Sequence, residues 1–138
     1  MTKKKKTANN AATVMIDGVA ITPYDEDPTF TALRPSLAEI NKTPGVTGYI
    51  LRNSTSAIID LKNQEKLYEY AILSAQSIET GNELSELFDL GKVDHVLIEG
   101  KDLKILCMSI GDNKASIFME KETDHIAIIE RLEPYLNQ

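Results

Sequence analysis

The chain has 138 residues, the length of one domain with a genuine core, and 42% hydrophobic against 26% charged residues is a globular balance. The net charge is −6, but Lys3, Lys4, Lys5 and Lys6 hold four of the fifteen basic residues, so residues 7–138 set eleven basic against twenty-one acidic groups and carry −10. That sign excludes a duplex-binding surface, and the lack of Trp, with only three Phe and five Tyr, leaves little to stack on bases, so no nucleic-acid partner is expected.

Residues 1–29 read as a flexible N-terminal extension with a Lys-rich start, and residues 30–138 as the compact domain. Within the extension, Asp17-Gly18 at the centre of Val14–Ile21 suits a short hairpin or a strand added to some edge. Pro23, Asp25, Glu26, Asp27 and Pro28 then read as a loop. Leu33, Leu37 and Ile40 fall on one face of a short helix, with Pro35 in its first turn and Thr43-Pro44-Gly45 at its end. Val46–Arg52 and Ser56–Leu61 are β-prone and joined by Asn53-Ser54-Thr55, which predicts a hairpin.

Gln64–Asn82 is the longest helical stretch. Leu67, Ala71, Ser74, Ala75 and Ile78 cluster on one side, opposite Glu65, Glu69, Gln76, Glu79 and Glu83. Ile72 interrupts the acidic side and Leu73 lies on its flank, an arrangement foreign to a helix that serves only its own core. Leu84, Leu87 and Phe88 extend the pattern by one or two turns until Gly91 stops it. Three strands follow at Val93–Glu99, Leu103–Ile110 and Ala115–Met119, with turns short enough for an antiparallel meander. Ile105-Leu106-Cys107-Met108 is apolar on both faces, which predicts a central strand with layers above and below. Asp124 caps a last helix through Ile128, Ile129 and Leu132, ended near Glu133 by Pro134. The order α-β-β-α-β-β-β-α predicts an α+β three-layer sandwich, a five-stranded antiparallel sheet with helices on both faces.

Thr43-Pro44-Gly45-Val46-Thr47-Gly48-Tyr49, the small-residue helix Ala71-Ile72-Leu73-Ser74-Ala75, and Val96-Leu97-Ile98-Glu99-Gly100 followed by a strand and Gly111-Asp112 carry a resemblance. Together with the order of elements over about residues 33–133, they resemble the roadblock (dynein light chain) family. The resemblance implies a profilin-like sheet with the second helix on one face and the first and third on the other. It implies dimers, with itself or a related roadblock domain, that pair second helices and join third-strand edges. Carried onto this chain, that interface would use Tyr68, Ile72, Leu73 and Gln76 of the helix and His95 and Leu97 of the strand. It further implies a partner among Ras-like small GTPases, regulated or scaffolded without catalysis, or else a structural role in a motor or membrane-signalling complex.

The residues offer little chemistry of their own. Cys107 reads as a buried, inert thiol, and no Cys and His cluster has metal-ligand spacing, so neither metal nor cofactor is expected. His95 and His125 read as surface groups, and the glutamates of the long helix as a solvated face. Gly91-Lys92 is followed by Val93 and preceded five residues earlier by Glu86, so the chain carries no P-loop. Lys3–Lys6 read as a solubilising tail with at most weak membrane attachment. The single cysteine and the absence of an apolar span fit the cytoplasm, where the Asn-x-Thr matches at Asn41 and Asn53 go unused. Of three arginines, Arg52 at the first hairpin's tip is the one placed for contact with a partner. A small-molecule sensor is a third reading, with no polar pocket constellation behind it.

Overall fold

Pro28, and not Pro35, opens the first helix, α1 (Pro28–Ile40), because the proline at N1 gives up an amide that has no helical partner. Pro35 therefore lies inside the helix, a correction to its expected place. Both Pro35 and Thr31, whose carbonyl an amide there would have met, face solvent, so the omitted helix bond is kept out of the core. Phe30, Leu33, Leu37 and Ile40, spaced by three, four and three, are all buried. The boundary expected at residues 29/30 thus falls within the first turn of α1.

The computed structural model describes residues 14–16, 19–21, 27–62 and 67–136, with the side chains of 14–16, 19–21, 67, 68 and 70–72 outside that description. Lys3–Lys6, Asp17-Gly18 and the start of the expected second helix at Gln64–Lys66 also lie outside the described residues.

Two short strands, β1 (Val14–Ile16) and β2 (Val19–Ile21), pair antiparallel as a hairpin. The main sheet contains β3 (Val46–Arg52), β4 (Ala57–Leu61), β5 (His95–Glu99), β6 (Leu103–Ile110) and β7 (Asn113–Glu120). Its order is β4-β3-β7-β6-β5, antiparallel throughout. The strand expected to be central, β6, is an interior strand next to the β5 edge, and β7 takes the middle. Both carry buried residues on each face, so burial alone does not distinguish the two positions.

Helix α1 and helix α3 (His125–Leu132) pack on one face, where Phe30, Leu37, Leu51, Leu106, Ile117 and Ile128 join one core cluster. The Asp124 carboxylate caps α3 by accepting from the Ala127 amide at 3.2 Å. A 3-10 turn (Glu133–Tyr135) follows, where Pro134 interrupts the helix. The opposite face carries the smaller cluster of Ile50, Leu61 and Phe118. There α2 (Leu67–Phe88) crosses over β5 and β6.

Helix α2 continues to Phe88 through Gly81 and stops before Gly91. Asp89 takes a left-handed conformation (φ 55°), and the amides of Leu90 and Asp89 donate to the carbonyls of Ser85 (2.9 Å) and Glu86 (3.3 Å). These are the paired bonds that satisfy the last carbonyls of a helix. Gly81 sets the helix's distance from the sheet, since a Cβ there would lie 2.8 Å from Cγ2 of Val96. The result is the expected α+β three-layer sandwich.

At the end of the sheet nearest the start of α1, Asn113 is fully buried and tied on several sides. Its amide donates to the Asp27 carboxylate at 2.8 Å and to the Ile110 carbonyl at 3.2 Å, and its side-chain oxygen accepts from Asn53 at 3.1 Å. One amide thus joins the entry to α1, the β6–β7 turn and the β3–β4 turn.

Candidate functional site

Ser74, Ile78 and Ser85 are the buried residues that mark the side of α2 turned to the sheet. Beside them runs a stripe at Leu73, Ser77, Thr80, Leu84 and Leu87, spaced by four, three, four and three residues. That recurrence keeps one seam on one flank of a helix. Its leucines are open to solvent, with Leu73 57%, Leu84 50% and Leu87 75% exposed. Ser77 donates its hydroxyl to the Leu73 carbonyl at 2.9 Å, so this polar member is satisfied within the helix and leaves the seam apolar in character.

The seam faces the β5 side of the sheet. Among the described residues β5 pairs with β6 alone, leaving its outer edge open. In the angle between α2 and that edge lies a groove of about 590 Å³, lined by Leu73, Gln76, Ser77, Thr80, Leu84 and, from the sheet, Val96, Ile98 and Ile105. Ile98 is 43% exposed there. A helix flank and a strand edge that are both apolar and unpartnered form a surface for another polypeptide, since a strand can extend the ladder while a helix fills the seam.

The residues anticipated from the sequence divide across this geometry. Leu73 and Gln76 line the groove. Tyr68 and Ile72 belong to α2, but their side chains lie outside the described residues. His95 and Leu97 stand on the edge strand but point to the other face: Leu97 packs against the α1/α3 core, and His95 lines a cleft with Lys92, Asp94 and Glu133. The groove is met instead by Val96 and Ile98, whose phase is fixed by their partners Cys107 and Ile105 on β6. Thr80 and Leu84 complete it, Leu87 continues the seam beyond it, and the signal for all three was the four-three recurrence from Leu73. Arg52 ends β3, paired with both Ala57 and Lys114 and half-buried.

Cys107 is buried on β6, where burial pushes its thiol pKa up against a smaller opposing effect of the Ser116 hydroxyl, 3.7 Å from Sγ. Burial, with the Asp60 carboxylate adding to it and Arg34 opposing, likewise raises the Tyr49 phenol. His125 lies beside the buried Lys104, its Nδ1 2.9 Å from the ammonium. Among the described residues no group of three or more His, Cys, Asp or Glu side chains converges, and no helix is long and apolar enough to cross a membrane.

No protein-family model matches the chain, and no curated protein matches it at a significant level. Among solved structures, the crystal structure of a Roadblock/LC7 domain from Streptomyces avermitilis superposes with a TM-score of 0.58 at 17% identity, covering 83% of this chain and 100% of that one. The two chains share a fold.

Proposed function

We propose that the protein is a non-catalytic, dimeric interaction module of the roadblock type that binds and regulates or positions a Ras-like small GTPase in the cytoplasm. The observation that carries the reading is the apolar seam of α2 beside the open β5 edge. A second copy of the chain satisfies both at once, because a two-fold axis there sets seam against seam and continues one sheet into the other. A related roadblock domain would offer the same pair of features.

The family resemblance of the sequence is what supports a GTPase as the partner. The chain's contribution to hydrolysis is steering rather than chemistry. A finger that enters a partner's active site needs a mobile cationic side chain, and Arg52 sits in a strand held on both sides. Arg131 stands on α3, 3.5 Å from the Thr43 hydroxyl, and Arg34 on α1.

The test is binding of purified Ras-like GTPases, each loaded with GDP or a non-hydrolysable GTP analogue, to the full chain. Affinity that differs between the two nucleotide states is expected for at least one GTPase. Equal affinity in both states would instead favour a structural subunit, and no binding across the panel would remove the GTPase from the proposal.

A further inference from the structure

The sheet has two edges, and the chain treats them differently. Among the described residues the β5 edge lies open beside the seam. The other edge, β4, reads Ala57-Ile58-Ile59-Asp60-Leu61, five residues with one charge and neither Lys nor Pro. Such an edge is a template for a further strand, because its outward amides and carbonyls invite pairing. Its outward amides can be assigned. The Asn53 amide donates to the Ser56 carbonyl (2.9 Å) and the Lys62 amide to the Thr47 carbonyl (3.1 Å), and these pairs bracket the β3–β4 ladder. Counting inward, the amides of Ala57, Ile59 and Leu61 point away from β3.

That edge has a neighbour from the same chain. β2 runs alongside β4, with Cα atoms within 8 Å, while keeping its ladder with β1 and standing outside the five-stranded order. A second observation keeps it within reach. Asp27 is held by Asn113, and Asn113 by Asn53 in the turn that leads into β4. The five residues between Ile21 and Asp27 span at most about 20 Å, so the hairpin is tethered at the start of the strand it covers.

We propose that the Val14–Ile21 hairpin guards the β4 edge in cis, so that copies of the chain join through β5 alone and assembly closes at two. Two bare, self-pairing edges on one sheet would let each chain bind a neighbour on either side and grow without closure. The closure at two rests on the dimer reading above, whereas the guarding of β4 does not.

The experiment uses the full chain and two variants, followed by light scattering over a concentration series, with a thermal melt of each. Ala20→Pro acts on the side of the hairpin free to meet β4: Ala20, the middle residue of β2, pairs with Met15 one step from the Ile16–Val19 pair that closes the turn, so the amide lost points away from β1. It is expected to raise the mass to roughly twice that of the wild type or more at high concentration. Adding Ile59→Lys at the middle of β4 places a charge at the centre of that edge, opposite its own copy in a two-fold pairing centred there, and is expected to return the mass to the wild-type value. An unchanged mass for Ala20→Pro overturns the proposal, as does growth that Ile59→Lys fails to reverse. Loss of a cooperative melt in Ala20→Pro would make the hairpin a folding element and overturn it too. A monomeric wild type would refute the β5 dimer, while growth of Ala20→Pro to dimers, reversed by Ile59→Lys, would still uphold the guard.

Discussion

Leu84→Ala isolates the contribution of the α2 seam to dimerisation. Leu84 is 50% exposed in the single chain, so about half of its apolar surface remains to be buried by a partner. Burying a whole leucine side chain is worth about 1.5–3 kcal/mol, which puts the remaining half near 1 kcal/mol. A two-fold dimer contains the residue twice, so the substitution should weaken association by about 2 kcal/mol, a Kd rise of roughly 30-fold. Sedimentation equilibrium reads this directly. The thermal midpoint at low concentration should barely move, because solvent-facing substitutions change the fold's stability by only about 0.5 kcal/mol. Ile126→Ala is the matched control, a residue 55% exposed on α3 across the sheet from the seam, and should leave the dimer intact. A Kd unchanged by Leu84→Ala, or weakened equally by Ile126→Ala, would refute the placement of the interface.

Asn113→Ala should destabilise the chain by about 1–3 kcal/mol in urea melts, because the Asp27 carboxylate and the Asn53 amide both lose a partner next to a fully buried position. Cys107 should resist alkylation in the native chain at neutral pH and react only on unfolding, since burial both shields the thiol and raises its pKa. The raised thiol stabilises the fold fully below its ordinary value of 9.0 and loses that contribution as pH climbs through the folded value, so thermal stability should fall on the alkaline side.

Helix and strand order was legible because each element carries its own period. Phe30 through Ile40 repeat at helical spacing, Asn53-Ser54-Thr55 marks a turn, and Asp124 caps its helix as its side chain requires. Phase within β5 was not. Val96, Leu97 and Ile98 are apolar in succession, so alternation gives no reading of which side faces α2; only the register with Ile105 and Cys107 does, and register is a property of the assembled sheet. The start of α1 was missed for a related reason. Two prolines seven residues apart both satisfy the local rule for a helix start, and the burial of Phe30 decides between them. The seam itself was half visible, through Leu73, because the Leu84 and Leu87 repeat looked like a mere continuation of the helix.

Gly81 gives the chain an adjustable part that brings no side chain of its own to the groove it lines. The helix lies close against the edge strand where this residue meets Val96, and the groove opens alongside. A methyl group at that point acts as a wedge, tilting or lifting a 22-residue helix whose N-terminal half carries Leu73. Sequence drift at one small, half-buried position can therefore retune which helix the groove admits, leaving every other lining residue unchanged. Paralogues of such a chain could part company, each with its own mate, through the spacing of two elements rather than through the chemistry displayed on them.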